Sequence, residues 1–174
     1  MSQQLVKREQ VAAVEQAQQY LTFSLGQEMF AVGILQVREI IEYGAVTTVP
    51  MMPAFIRGVI NLRGSVVPVI DLAARFGRGA SEVHRRSCIV ILEVGEDEEQ
   101  RQELGVMVDA VSEVVEIPPA QIEPPPSFGA RIRTEFIAGM GKVQDRFVIL
   151  LDVAKVLAVD EMALLAQLSE GGSA

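Results

Sequence analysis

The stretch FAVGILQVREIIE at Phe30–Glu42 decides the fold, because it returns 74 residues later as LGVMVDAVSEVVE at Leu104–Glu116. Valines and glutamates stay in register between the two stretches, as Glu39 does with Glu113. Similarity at a fixed spacing is the signature of a duplicated structural unit. The chain therefore contains two copies of one small β-rich unit. Positions that the copies share are expected to be structural, and chemistry present in only one copy indicates function.

Flanking segments extend the duplication in both directions. LTFSLG is echoed by VILEVG at an offset of 69 residues, and FIRG at Phe55 returns as FIAG at Phe136, at an offset of 81. The offset increases across the charged stretch 96–103 and again across the proline-rich stretch 118–126. Insertions are tolerated best in exposed connections, so both stretches are predicted to be surface loops.

Short apolar runs separated by turn residues are typical of small β-barrels and not of a doubly wound parallel sheet. We predict a flexible N-terminal arm at 1–19, a first barrel at 20–83, a second barrel at 84–159, and a C-terminal helix and tail at 160–174. Each copy is near the size at which an isolated core is only marginally stable, so the two are expected to pack together or to share strands. Pro68, inside the run VVPVIDL, predicts a sheet edge or a bulge.

Composition excludes several classes of function. The chain has 174 residues, with 15 Lys and Arg against 23 Asp and Glu, a net charge of −8. That charge repels nucleic acid and anionic lipid, and the absence of Trp leaves little material for stacking bases. No apolar run approaches the ~18 residues needed to span a membrane, and the N-terminus lacks an apolar signal core. The single cysteine, Cys88, excludes an internal disulfide and fits a reducing compartment.

Catalytic and metal-binding patterns are not found in the sequence. His84 is the one histidine and has no spaced cysteine partner, so neither a metal nor a cofactor is expected. Asp71 and Asp152 stand in matching D-[LV]-A motifs. They are expected to cap the segments after their strands, while an acid/base pair in a small hydrolase stays open as an alternative. Gly139 and Gly141 predict a turn between strands.

Subtracting one copy from the other leaves a group of polar residues in the first. The segment NLRG at Asn61–Gly64 has no counterpart, since Gln144 stands where Arg63 does. Arg38 and Arg57 are likewise replaced in the second copy, by serine and alanine. A local basic cluster that the neighbouring glycines expose to a partner would form a recognition patch. The other interpretation is a solvated face with one structural arginine that bonds loop carbonyls.

The run PAFIRGVINLRGSVVPVIDL at Pro53–Leu72 resembles the signature of the CheW family of bacterial chemotaxis coupling proteins. VREI from Val37, TEFIAGMG at Thr134–Gly141 and EMALL from Glu161 resemble the family as well, and the resemblance covers about residues 20–168. It implies a mainly β fold of two five-stranded SH3-like barrels related by a pseudo-two-fold axis, followed by a C-terminal helix.

The resemblance also implies a function. Family members are non-enzymatic adaptors, without a cofactor, that couple the cytoplasmic tips of methyl-accepting chemoreceptors to the regulatory domain of the histidine kinase CheA. Such a protein is cytoplasmic, is recruited to membrane receptor arrays and does not insert into the membrane. An adaptor of a motility or developmental pathway is the alternative within the family. By motif and by the one-copy loop, the expected contact residues are Val37, Glu39, Arg57, Gly58, Asn61, Arg63, Gly64, Ser87 and Cys88.

Overall fold

The computed structural model describes residues 17–95, 101–125 and 134–157. These parts of the chain are mainly β, which confirms the predicted fold class, and they hold eleven strands and two short α-helices. The strands are β1 (Gln18–Leu25), β2 (Glu28–Gly33), β3 (Val37–Glu42), β4 (Ile56–Leu62), β5 (Ser65–Asp71), β6 (Cys88–Val94), β7 (Gln102–Val108), β8 (Ala110–Ile117), β9 (Ile122–Glu123), β10 (Ile137–Val143) and β11 (Arg146–Leu151), and the helices are α1 (Leu72–Arg75) and α2 (Val153–Val156).

The strands form two sheets of matching topology. One sheet has the order β8-β1-β2-β11-β10-β9 and the other the order β3-β6-β7-β5-β4. Replacing each strand by its counterpart in the other copy converts the first five strands of one order into the other order. The parallel pairings are matched too, because β2 pairs with β11 as β7 pairs with β5. The duplication seen in the sequence is therefore a duplication of topology.

Each sheet is assembled from both copies. Strands β1 and β2 of the first copy lie with β8 to β11 of the second, and β6 and β7 of the second copy lie with β3 to β5 of the first. The two barrels consequently do not coincide with the predicted subdomains 20–83 and 84–159. Local sequence patterns indicate strands but not their distant partners. Of the two expected arrangements, packed copies or shared strands, the topology supports the sharing of strands between copies.

The ends of the chain meet the expectations only in part. Strand β1 begins at Gln18, which pairs with Ile117, so the predicted arm 1–19 extends two residues into the sheet. Backbone pairing does not require apolar side chains, and the polar residues there gave no sign of a strand. The rest of the arm and the predicted C-terminal helix fall in 1–16 and 158–174, outside the described residues.

A short segment after the outer strand closes each sheet into a barrel. In the six-stranded barrel, β8 continues through the 3-10 helix Pro119–Gln121 into β9, which pairs with β10. In the five-stranded barrel the closing residue is Thr47, whose backbone exchanges hydrogen bonds of 2.8 and 2.9 Å with Val59. The stretch 118–126 was predicted to be a loop only, and this is wrong, because it supplies the closing strand of one barrel.

Both faces of the central strands are buried. Along β6, Ile89 and Ile91 point into the five-stranded barrel, whereas Val90 and Leu92 point into the core between the barrels. A strand covered on both faces needs a continuous apolar run, and CIVILEV has one. The core between the barrels contains residues of both copies and holds the two sheets together.

The two matching aspartates cap the two short helices. Asp71 accepts a hydrogen bond from Ala74 N at 3.3 Å, and Asp152 accepts one from Lys155 N at 3.3 Å. A side-chain oxygen at this position satisfies a backbone donor that the first helical turn leaves free. The predicted capping role is thereby confirmed in both copies.

Arg75 lies between equivalent aromatic residues of the two copies. Its guanidinium carbon is 5.0 Å from the ring centre of Phe55 and 4.9 Å from that of Phe136. Its Nε donates a hydrogen bond to Val156 O at 2.9 Å. A planar cation between two aromatic rings gains from both faces. One side chain thus ties helix α1 of one copy to helix α2 of the other.

Candidate docking surface

The predicted contact residues all belong to the five-stranded barrel. They lie on β3, on β4 and the turn after it, and at the start of β6. The structure thus brings them to one barrel but gives them different tasks. In chain order they are Val37 and Glu39 on β3, Arg57, Gly58 and Asn61 on β4, Arg63 and Gly64 in the turn, and Ser87 and Cys88 at β6.

Glu39 and Arg63 form an ion pair that joins β3 to the tip of the β4–β5 hairpin. Arg63 Nη2 donates a hydrogen bond to Glu39 Oε1. The Arg63 side chain is 73% exposed and that of Glu39 is 28% exposed. An ion pair so open to water contributes only about 0–1 kcal/mol to stability. Its main effect is to hold a cation and an acid at a defined place on the surface.

The hairpin turn has the same backbone in both copies but not the same charge. Arg63 and Gly64 have φ angles of 52° and 88°, and Asn61 Oδ1 accepts a hydrogen bond from Gly64 N at 2.9 Å. Gln144 and Asp145 occupy the equivalent turn with φ angles of 49° and 65°. Two consecutive left-handed residues are typical of a two-residue hairpin turn. The turn geometry therefore belongs to the fold, and the cation belongs to the first copy.

The three arginines of the first copy do not form one basic cluster, and the expectation of such a patch is wrong. Each guanidinium has its own acidic partner, so its charge is neutralised locally. Sequence spacing could not predict these partners, because every one of them lies on another segment of the fold. The pairs are Arg38 with Glu93, Arg57 with Asp71 at 3.7 Å, and Arg63 with Glu39.

Arg57 has the contacts of the structural arginine that was the second interpretation. Its Nε donates to Tyr43 Oη at 3.1 Å, and its Nη1 donates to Ser81 O at 3.1 Å. The guanidinium carbon also lies 5.9 Å from the Tyr43 ring centre. Arg57 therefore joins the end of β3 to the segment between the copies.

Gly58 is required by the protein's own backbone. It lies at a bulge in β4 with φ 153°, and a β-carbon on it would be 2.2 Å from Thr47 O. No side chain fits such a distance, so the segment that closes the barrel approaches where a side chain would stand. The expected close approach at this glycine is thus made by Thr47.

Ser87 and Cys88 lie at the start of β6, where the side chain of Ser87 is bonded within the fold. Ser87 is buried, and its Oγ accepts a hydrogen bond from His84 N at 3.0 Å. Ser87 O also accepts a hydrogen bond from Tyr43 N at 3.1 Å. Cys88 is partly buried and is paired in the sheet with Glu42. Both residues fix the start of β6 beside the end of β3.

Exposed apolar side chains occur at equivalent places on the two barrels. Ile40 and Val66 are exposed on the five-stranded barrel, and their counterparts Val114 and Phe147 are exposed on the six-stranded barrel. Val37 is half-buried and packs against the core between the barrels. The predicted surface is therefore flanked by apolar groups suited to contact with another protein.

The six-stranded barrel has an open cleft, lined by residues of both copies, that was missed in the sequence. It has a volume of about 900 Å³ and is lined by, among others, Glu113, Gln144, Arg146 and Phe147. Glu113 and Gln144 are the counterparts of Glu39 and Arg63. The cleft therefore lies at the end of the six-stranded barrel that is equivalent to the Glu39–Arg63 end of the five-stranded barrel. The sequence held one indication of this cleft. The alternation of side chains along the strand places the aromatic Phe147 on the outer face of the barrel.

Catalytic features do not emerge from the described residues. The Asp71 carboxylate is buried and accepts hydrogen bonds from Ala74 and Ser81, and Asp152 caps α2, so these two are not a free acid/base pair. In residues 17–95, 101–125 and 134–157 there is no group of three or more potential metal ligands. The same ranges contain no helix long and apolar enough to cross a membrane.

Comparison with known proteins decides the family. A family model described as the CheW-like domain matches residues 19–161. The chain belongs to the CheW-like family. The chemotaxis protein CheW of Klebsiella aerogenes is 38% identical over 147 residues, which are 84% of this chain and 86% of that protein. The probable chemotaxis protein CheW of Rhizobium etli is 33% identical over 141 residues, 81% and 88% of the two chains.

A solved structure of the family has the same architecture. The crystal structure of the scaffolding protein TtCheW from Thermoanaerobacter tengcongensis superimposes with a TM-score of 0.73 at 37% identity, over 83% of this chain and 90% of that one. The resemblance to CheW and the two SH3-like barrels are confirmed, but the expected five strands hold for one barrel only, because β9 adds a sixth strand to the other. CheW-like proteins form a family of chemotaxis adaptors and scaffolds, and this chain is a chemotaxis adaptor of that family.

Proposed function

We propose that this adaptor joins the cytoplasmic tip of methyl-accepting chemoreceptors to the regulatory domain of the histidine kinase CheA, by binding both and catalysing nothing. It would act in the cytoplasm, at receptor arrays on the membrane. Family membership and the shared fold support the proposal. The observation that carries it is the Glu39–Arg63 ion pair, which the duplicated fold does not need.

Comparison of the copies explains why this pair indicates function. Features that the fold requires recur in both copies, such as the left-handed hairpin turn and the aspartate caps. The second copy keeps Glu113 but has Gln144 in place of the cation, and its barrel nevertheless closes. One barrel folds without this charged pair, so the fold does not require it. In the other barrel the pair can therefore be used to recognise a partner.

The predicted residues divide into contacts and frame. We assign direct contact to Val37 and Glu39, which are half-buried on β3, and to Arg63, which is exposed at the hairpin tip. Cys88 stays a candidate contact at the partly buried start of β6. The remaining residues set the backbone that presents them, and they are Arg57, Gly58, Asn61, Gly64 and Ser87.

Coupling in this arrangement needs no chemical step. Two sheets, each built from strands of both copies and packed on one common core, would behave as a rigid spacer between the two partners. A receptor then biases the kinase only as far as its contacts differ between the two kinase states. Single contacts of modest strength suffice, because partners held in an array act at high effective concentration.

The test is a ternary pull-down of the full chain with the kinase and a receptor cytoplasmic fragment. We expect Arg63→Glu to weaken ternary assembly by about tenfold or more, because the new carboxylate faces Glu39 and removes the cation from the surface. Its free energy of unfolding should change by less than about 1 kcal/mol.

Gln144→Glu is the matched control, since it makes an acidic substitution at the equivalent turn position of the second copy, and it should assemble like the wild type. Wild-type assembly by Arg63→Glu would contradict the assignment.

A further inference from the structure

Asp71 makes more contacts than a helix cap requires. Its Oδ1 accepts hydrogen bonds from Ala74 N at 3.3 Å and from Ser81 Oγ at 2.7 Å, and its Oδ2 accepts one from Ser81 N at 2.7 Å. Arg57 Nη1 lies 3.7 Å from Oδ2. A buried carboxylate is retained only where hydrogen bonds and a cation compensate for its lost hydration, and Asp71 has both.

These contacts hold the connector between the two copies, residues 76–87, against the five-stranded barrel. Besides bonding Asp71, Ser81 accepts through its carbonyl a hydrogen bond from Arg57, which also donates to Tyr43 Oη. Tyr43 N in turn donates to Ser87 O at 3.1 Å. The connector is thus bonded at its middle and at its end to the strands that carry the proposed contacts.

The second copy has the cap without this network. Ala138 stands in the place of Arg57 and Ile117 in the place of Tyr43. Asp152 is partly exposed and caps Lys155 N. Capping therefore does not explain why the first copy adds a partly buried ion pair and a tyrosine. The addition occurs in the same copy as the Glu39–Arg63 pair.

The network lies at the other end of the two strands that carry that pair. Arg57 precedes Gly58 at the bulge of β4, the strand that leads to Arg63, and Tyr43 follows β3, the strand that carries Glu39. We propose that Asp71 is a positioning residue, which acts through Arg57 and Ser81 to keep the connector, β3 and β4 in one arrangement for docking. The proposal rests on the proposed function for its binding readout.

The experiment compares Asp71→Asn with the repeat-matched control Asp152→Asn in the full chain. Asparagine still caps a helix, so both variants keep the cap, while Asp71→Asn loses the negative charge and turns one of the two accepting oxygens into a donor. Trypsin can cleave the connector after Arg78, Arg85 and Arg86, and its rate reports local opening. We expect cleavage about tenfold faster in Asp71→Asn and unchanged in Asp152→Asn. Binding of a receptor cytoplasmic fragment should weaken about fivefold or more in Asp71→Asn alone, at a temperature where circular dichroism shows both variants folded.

The results that differ from these expectations contradict either the role of Asp71 in holding the connector or its role in docking. Equal cleavage of Asp71→Asn and the wild type would overturn the proposal, and faster cleavage with unchanged binding would overturn the positioning role. If Asp71→Asn does not fold, Ser81→Ala, which removes one hydroxyl, is tested with the same two readouts and must show both effects. If wild-type protein binds neither partner, the proposed function fails, while the cleavage comparison still decides whether Asp71 holds the connector.

Discussion

Gly58 has no room for a side chain. A β-carbon there would lie 2.2 Å from Thr47 O, with φ 153°. We expect Gly58→Ala to lower the free energy of unfolding by about 2–4 kcal/mol, because Thr47 must move and its two hydrogen bonds to Val59 must stretch. Urea denaturation measures this change. Gly33→Ala is the control, since its nearest neighbour would be the Gln36 side chain at 3.7 Å, and its effect should stay below about 1 kcal/mol. An unchanged midpoint for Gly58→Ala would show that the closing segment is loose.

Single residues show how far the sequence alone leads. Comparing the copies predicted the capping aspartates, and it isolated Arg63 as chemistry of one copy. The sheet edge predicted at Pro68 is wrong, because β5 lies between β7 and β4; the proline fits there since β7 pairs with β5 only from Val69 to Asp71. The acidic partner of each arginine could not be predicted, since those pairs depend on which strands become neighbours. Because the acidic partners could not be predicted, the three arginines were expected to form one basic patch, whereas they form three separate ion pairs.

At the scale of elements, a threonine side chain secures the bulge between β1 and β8. Thr22 is buried, donates to Glu113 O at 2.7 Å and accepts from Glu113 N at 3.1 Å. The register shifts beside it, between Leu21 and Phe23, so the backbone of Glu113 would lack these partners without the hydroxyl. The side chain thus replaces one step of the β ladder.

Thr22→Val should therefore destabilise the protein although it preserves the shape of the side chain. We expect the free energy of unfolding to fall by about 1–3 kcal/mol, the cost of leaving buried backbone groups without partners. Thermal unfolding followed by circular dichroism measures the change. The exposed Thr48 provides the control, and Thr48→Val should have an effect within about 0.5 kcal/mol. Equal melting temperatures for Thr22→Val and the wild type would mean that water replaces the hydroxyl.

Two elements were mispredicted for the same physical reason. Gly139 and Gly141 were expected to form a turn, but they lie inside β10. A β-carbon on them would come within 2.7 Å of Ile122 Cγ2 and 2.9 Å of Ile117 Cδ1, so they are glycines because other segments pack against the strand. The closing strand β9 was missed because two residues between prolines show no periodicity. Both elements are determined by residues distant in sequence, and a local sequence pattern carries no information about those residues.

On the scale of the whole molecule, the duplication is visible in the sequence while the exchange of strands is not. Each copy supplies the hairpin at its start to one sheet and its remaining strands to the other. Each barrel keeps its own interior, and the two are joined by the common core between them, which both copies build. Such an arrangement ties the docking surface on one barrel to the cleft on the other, which suits a protein that must hold two partners at a fixed geometry.

Separated copies should consequently fail to fold, although each has the length of a small barrel. A cut between Glu82 and Val83, both exposed, leaves β1 and β2 without β8 and β11, and β5 without β7. A lone two-stranded hairpin is at best marginally stable, so we expect neither fragment alone to unfold cooperatively. Fragments 1–82 and 83–174, expressed together with a tag on one, should co-purify and regain the circular dichroism spectrum and most of the melting temperature of the intact chain. Intact protein nicked at the same connector is the control. Cooperative unfolding of either fragment alone would show that one copy completes its own barrel, and the exchanged topology could not then be what holds the molecule together.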